Sequence, residues 1–195
     1  MPLIDMHVHL QNRSPCSILS ANQMLTHISP KLQGVCVTDH FHVRPIHNLT
    51  KNPEMVELRV FFGVEITSRD GDILAYGIEA VPSRNMSAET VIDNIHKQGG
   101  VAVCAHPFSP RHLALGDKIY DLELDAIEIN GSLPSKSNKE AKIAAEIMDL
   151  PTIGGSDAHS VDQLNTMATW FQNPIADVSD IVQEIQHKNC KATRI

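Results

Sequence analysis

Leu3-Ile4-Asp5-Met6-His7-Val8-His9-Leu10 opens the chain with an alternation of period two. In an extended strand successive side chains point to opposite faces. Asp5, His7 and His9 therefore share one face, and Ile4, Met6 and Val8 the other. One face belongs to a core and the other carries an acid and two imidazoles. In α/β folds, functional groups gather at the C-terminal ends of strands, so later strands should also end in polar residues on that side.

Beyond this strand, β-branched runs at residues 34–38, 60–66, 101–105, 126–130 and 152–155 alternate with amphipathic stretches, the pattern of βα units. Residues 168–171 and 191–195 are weaker strand candidates. Ala88, Val91, Ile92 and Ile95 follow a helical stripe between the N-cap Ser87 and the stop Gly99. Ala141, Ala144, Ala145 and Met148 repeat that stripe, as do Val178, Ile181, Val182 and Ile185. A fourth helix is expected over residues 20–29, before Pro30. Arg69-Asp70-Gly71-Asp72, between two apolar runs, is a hairpin signal. A regular eight-unit barrel takes about 250 residues, so the 195 here are too few for one and predict a single α/β domain over residues 1–195 that could close as a smaller or irregular barrel of about seven units.

Composition narrows the function. Hydrophobic residues make up 42% of the chain, enough for a core and too many for wholesale disorder. Sixteen Lys and Arg against twenty-three Asp and Glu give −7, which argues against a broad basic face holding nucleic acid. A small phosphorylated substrate stays open, because a metal cluster can supply the positive charge. No stretch approaches the ~20 apolar residues of a membrane span. The first ten residues lack the basic and apolar regions of a signal peptide. Cysteines at 16, 36, 104 and 190 have no CxxC spacing, so a reduced, cytoplasmic chain is expected.

The strand ends carry the chemistry. Beyond Asp5, His7 and His9 they read Thr38-Asp39-His40, Gly63-Val64-Glu65, Ala105-His106-Pro107, Glu128 with Asn130, and Ser156-Asp157-Ala158-His159. Singly, each has a bland reading: two ordinary histidines, a turn, a helix cap. Together the bland readings need five coincidences at one end of successive strands. About five histidines and three carboxylates exceed the needs of one tetrahedral ion, which predicts two or three divalent ions of zinc, manganese or iron.

These motifs, in this order from Asp5 to His159, resemble the PHP (polymerase and histidinol phosphatase) family. The resemblance implies a distorted (β/α)7 barrel. It also implies a metal-dependent phosphoesterase, mostly trinuclear in the family, or a nuclease-like domain of the kind attached to DNA polymerases. Carried over residue by residue, His7, His9 and Asp157 would hold the first ion, Glu65 would bridge to the second on His106, and His40 and His159 would hold the third. Two departures stand out. Asp72 occupies a point where many members place a second-ion histidine, shifting preference toward harder ions such as Mn²⁺. The ligand expected shortly after His9 is missing from Arg13-Ser14-Pro15-Cys16-Ser17. Either Cys16 is a soft substitute or the third site is weak or empty.

The leading expectation is phosphoester hydrolysis by a metal-activated hydroxide, with Glu65 holding two cations together. If the third site is empty, His40 and His159 would position phosphate or a leaving-group proton. Arg13, Arg44 and Arg111, in loops after site strands, are candidates for a phosphate fork. The rivals are a nuclease acting on nucleic-acid ends, an amidohydrolase, for which no strand ends in the usual lysine, and a non-catalytic metal-binding module. Among the other histidines, His27, His96 and His187 read as helix-surface residues, and His42 and His47 lie near the presumed mouth. Asp5 reads as an orienting or metal-site carboxylate. Met24, Met55, Met86, Phe61, Phe62 and Trp170 read as packing.

Overall fold

A computed structural model describes residues 1–46 and 58–195, so His47 and Met55 lie outside the described residues. The chain runs β1 (Leu3–Val8), α1 (Ala21–His27), β2 (Gly34–Val37), β3 (Arg59–Phe62), β4 (Val64–Thr67), β5 (Asp72–Tyr76), α2 (Ala88–His96), β6 (Val101–Cys104), β7 (Ala126–Asn130), α3 (Ser135–Ile147), β8 (Thr152–Gly155), β9 (Met167–Phe171), α4 (Val178–Gln186) and β10 (Cys190–Arg194).

The expected (β/α)7 barrel is not what these strands form. They make two five-stranded mixed sheets, in the orders β10-β9-β1-β2-β3 and β4-β5-β6-β7-β8. Pairing direction explains the difference. A barrel of βα repeats needs parallel neighbours throughout, yet β5 lies antiparallel to both β4 and β6, and β9 antiparallel to both β1 and β10. The first reversal is the expected hairpin. Its turn is held by Ser68, whose Oγ donates to Gly71 O (2.6 Å) and accepts from Gly71 N (3.1 Å). The second comes from the two weak strand candidates, which pair with each other instead of closing a parallel ring. The strand predicted over 60–66 also divides at Gly63, between the sheets. A Cβ there would lie 2.6 Å from the Tyr76 ring and 2.9 Å from Ala75 O, so only glycine allows that approach.

Local signals place the helices. Ser20 and Gln23 form a capping box on α1, Ser87 accepts from Thr90 N on α2, and Asp177 with Asp180 forms a second capping box on α4. Ala88, Val91, Ile92 and Ile95 of α2 and Ala141, Ala144 and Ala145 of α3 pack with β4–β7 side chains. The stripe of α4 packs on Tyr76, Val101 and Val103, and Met24 of α1 on Val35 and Val37. None of the described helices is long and apolar enough to cross a membrane.

One irregularity bears on the site. In the β1–β2 register Asp5 faces Val35 while Val8 faces Val37, so β1 carries an extra residue between them. The strict alternation expected for Asp5, His7 and His9 is broken there. Asp5 turns to the backbone: its Oδ1 accepts from His7 N (3.2 Å) and Ser156 N (2.8 Å).

Candidate metal centre

The ends of β1 and β8 lie side by side, joined by Asp157 N to His7 O (2.8 Å) and His9 N to Ala158 O (3.0 Å). That pairing brings His7, His9 and Asp157 together, and β4 adds Glu65 from the second sheet. His7 Nε2 is 2.9 Å from His9 Nε2, 3.6 Å from Glu65 Oε2 and 3.4 Å from Asp157 Oδ1. His9 Nε2 is 3.1 Å from Glu65 Oε2 and 3.4 Å from Asp157 Oδ1. A tetrahedral ion with donors about 2.0–2.2 Å away separates them by about 3.3–3.6 Å. The separations from the two histidine nitrogens fall near those edge lengths, His7, His9 and Glu65 form one donor group, and all four residues are buried.

The other nitrogen of each histidine has a partner. His7 Nδ1 lies 2.7 Å from Glu128 Oε1. His9 Nδ1 lies 3.0 Å from Ser14 Oγ, which in turn donates to Asp39 Oδ1 (2.8 Å). These contacts place a proton on each Nδ1 and leave each Nε2 lone pair facing the cluster. Glu128, named in the sequence only as a metal-competent strand end, sits behind the donors. Its Oε2 accepts from His106 N (2.8 Å) and Asn130 Nδ2 (3.1 Å).

Further donor sets adjoin the first. Ligand atoms of Glu65, Asp72 and His106 lie within 4.8 Å of one another, as do those of His9, Cys16, His40 and His159, and those of His106, His112 and Asp157. Glu65 is common ground: Oε1 is 3.0 Å from His106 Nε2, while Oε2 is 3.1 Å from His9 Nε2 and 3.3 Å from His40 Nδ1. Among the described residues, Asp72 Oδ1 and His106 Nδ1 have no hydrogen-bond partner although both atoms are buried. His106 and Asp157 hold φ of 30° and 55°, a left-handed backbone that bulky residues avoid, at two donor positions.

Electrostatics makes the same case. Burial raises Glu65 and Asp157, but His7 and the hydrogen bonds of neighbouring histidines outweigh it and hold both carboxyls below their usual range. Burial lowers His7 and His106, and the facing carboxylates reverse it, pushing His7 well up and His106 to about 9. Burial, followed by Glu65, raises Asp72 to about 6, and burial raises Asp5 to about 7. Burial also keeps His40, His112 and His159 low, the neutral form that binds cations. Carboxylates crowded in a dry pocket need positive charge, and protons on His7 and His106 supply it where no cation is bound. The donor set therefore fits divalent ions.

The remaining candidates are placed differently. Arg13 Nε lies 2.7 Å from Asp39 Oδ2, and its Nη2 donates to His42 O (3.2 Å). Arg44, Arg111 and the His42 side chain are exposed. Sequence reasoning gave His112 no role. It stands on the loop after β6, its ring 4.7 Å from that of His106 and its Nε2 4.0 Å from Asp157 Oδ2. Ser109 Oγ accepts from Arg111 N and His112 N, and Leu113 O accepts from Asp72 N, so the loop is tied to the site. The available signal was its place six residues beyond His106, in a loop leaving a site strand.

The model of the family described as PHP-associated matches residues 135–190. An uncharacterised protein of Methanocaldococcus jannaschii is 30% identical over 135 residues, spanning 64% of this chain and 79% of that protein. Among solved structures, PsfC from Pseudomonas syringae superposes with a TM-score of 0.76 at 18% identity, covering 100% of this chain and 91% of that one. A candidate metal-dependent phosphoesterase from Bifidobacterium adolescentis gives 0.67 at 18% identity, covering 95% and 96%. An amidohydrolase from Chromobacterium violaceum gives 0.66 at 16% identity, covering 98% and 97%. At these identities the structural likenesses establish the fold.

Proposed function

The chain belongs to the PHP family, and from that membership we propose that it is a metal-dependent hydrolase of small phosphate esters. The observation that carries the proposal is the placement of Glu65. One carboxylate oxygen faces His9 and the other faces His106, so a single side chain joins two donor sets. His7, His9 and Asp157 complete the first set. Asp72 and His106 complete the second, and His40 and His159 belong to a third. Divalent zinc, manganese or iron held there supplies Lewis acidity toward a phosphoryl oxygen and lowers the pKa of water.

The chain's own residues do the rest. Glu65 and Asp157, both buried, would offset the repulsion between neighbouring cations held there. Glu128 and the Ser14–Asp39 pair fix the His7 and His9 tautomers. His112, a partly exposed imidazole outside these three sets, is placed to orient phosphate oxygens or to carry the leaving-group proton, a role open to His40 and His159 only where the third set holds no ion. Arg44 and Arg111 are exposed, with no ion pair among the described residues, and are the candidates to reach an incoming anion, whereas Arg13 is already held by Asp39. The net charge of −7 favours a small phosphorylated substrate over a nucleic acid. The four free cysteines suit a reducing, cytoplasmic setting.

The test is a phosphate-ester panel assayed with Mn²⁺ or Zn²⁺ on protein whose metal content has been measured. The expected result is hydrolysis of small monoesters, abolished by chelation and restored by metal, with oligonucleotides left intact. A fully metal-loaded protein inert on every phosphate ester would overturn the proposal.

A further inference from the structure

We infer that Cys16, His40 and His159 form a soft, thiolate-bearing metal site that takes zinc, beside a carboxylate-rich site of Glu65, Asp72 and His106 that takes manganese. The inference rests on reading the cluster as a metal centre and adds which ion each part selects.

The seating of Cys16 carries the argument. The loop that bears it is clamped on both sides. Ser14 Oγ donates to Asp39 Oδ1 (2.8 Å) and accepts from His40 N (3.2 Å), tying the segment before Cys16 to the β2 end. Ser17 Oγ donates to His9 O (2.8 Å) and His159 O (3.2 Å), and Ile18 N donates to His159 O (2.9 Å), tying the segment after it to the β8 end. Between these clamps the sulfur comes within 4.8 Å of ligand atoms on His9, His40 and His159. A loop residue beside Pro15 with no role needs no such restraint.

Donor accounting then separates the sites. His9 Nδ1 is taken by Ser14, so His9 has one lone pair, at Nε2, and that atom already faces Glu65 and Asp157. The third set keeps Cys16, His40 and His159. His159 Nδ1 donates to Asp157 O (2.9 Å), which leaves its Nε2 lone pair available. Three protein donors with a fourth position open is the arrangement of catalytic zinc sites. Thiolate and imidazole favour Zn²⁺, whereas two carboxylates and one imidazole favour harder ions such as Mn²⁺. The two sites share Glu65 as neighbour but differ in chemistry.

The experiment loads metal-free protein with Zn²⁺ and Mn²⁺ together, counts both metals, and separately titrates Co²⁺ while recording spectra. The parent should hold both metals and show a near-ultraviolet thiolate-to-cobalt band. Cys16→Ser should lose the band and bind zinc at least about tenfold more weakly, with its manganese content unchanged. Cys16→His should keep the ion without the band, and Asp72→His should shift the second site from manganese toward zinc. A Cys16→Ser protein with the parent's zinc content, or a parent without the band, would overturn the inference while leaving the His7–His9–Glu65 centre standing. Failure of all variants and the parent to bind any metal would overturn the centre itself. Phosphate-ester hydrolysis is scored in a separate assay, so a negative result there bears on the proposed function alone.

Discussion

Glu128 Oε1 lies 2.7 Å from His7 Nδ1, with both side chains fully buried. The carboxylate has three donors to satisfy: His7 Nδ1, His106 N and Asn130 Nδ2. Glutamine offers one acceptor oxygen, and its NH₂ group would meet a donor on the other side. Glu128→Gln should therefore misorient His7 and weaken metal binding by about 10–100-fold. Mutual repulsion of donors should also cost about 1–3 kcal/mol of stability. Chelator competition and thermal melts measure the two effects. Unchanged affinity would mean that Glu128 does not orient His7.

Glu65→Gln removes the charge shared between donor sets while preserving shape. The variant should fold, bind one ion fewer, and lose at least about 100-fold in turnover. Elemental analysis alongside the hydrolysis assay separates the two losses. A variant with full metal content and full rate would remove Glu65 from the bridging role.

The pH response of stability should change sign on metal binding. In metal-free protein His106 is raised to about 9, so its contribution is fully present below pH ~6.5 and lost as pH climbs through 9. Asp5, raised to about 7, and Asp72, raised to about 6, act in the same direction, their contributions fading as pH rises above ~4. Metal-free protein should therefore melt at a lower temperature at pH 8.5 than at pH 6. Metal binding expels the His106 proton, so affinity should rise with pH until about 9 and loaded protein should show the opposite trend. Melting curves at both pH values, with and without metal, test this. Parallel trends in the two forms would refute it.

Arg13 allows a stability and a substrate role to be told apart. Its Nε faces the fully buried Asp39, whose other oxygen accepts from Leu10 N and Ser14 Oγ. Arg13→Ala leaves that carboxylate short of its partner. The expected loss is about 2–4 kcal/mol, below the ~3–5 for a fully buried pair because Arg13 is 19% exposed. Chemical denaturation reports it. A large rise in KM for a phosphate ester without loss of stability would instead make Arg13 a substrate contact.

The legible parts of this molecule were those written in adjacent residues. Thr38-Asp39-His40, Ala105-His106-Pro107 and Ser156-Asp157-Ala158-His159 each put donors at a strand end by local geometry, and the structure brings them together. Strand direction was less accessible. The antiparallel β9–β10 pair and the break at Gly63 depend on which strand lies alongside, which the local pattern does not encode. Cys16 was visible as a substitution, but its seating depends on Ser14 reaching Asp39 and Ser17 reaching His159, far away in the chain. His112 lies in a loop without periodicity, so no pattern pointed to it.

Gly155 is a position where the sequence announced a strand without saying why its last residue lacks a side chain. A Cβ there would lie 2.4 Å from His7 Cβ and 2.7 Å from His7 N. The obstacle includes backbone and the root of a buried ligand candidate, so no flexible tip can swing aside. Gly155→Ala must push β1 away from β8, just where Asp157 N bonds His7 O. The expected result is a loss of about 1–3 kcal/mol or more, as for overpacked cores. Metal affinity should fall with it, because His7, His9 and Asp157 are held in register by that strand contact. Replacement at exposed Gly99, whose Cβ would meet nothing within 4 Å, should lower stability through its positive φ while leaving affinity intact. Denaturation and metal titration on the two variants separate backbone strain from displacement of His7. Parental metal affinity in Gly155→Ala would show that β1 and β8 can part without disturbing the donors.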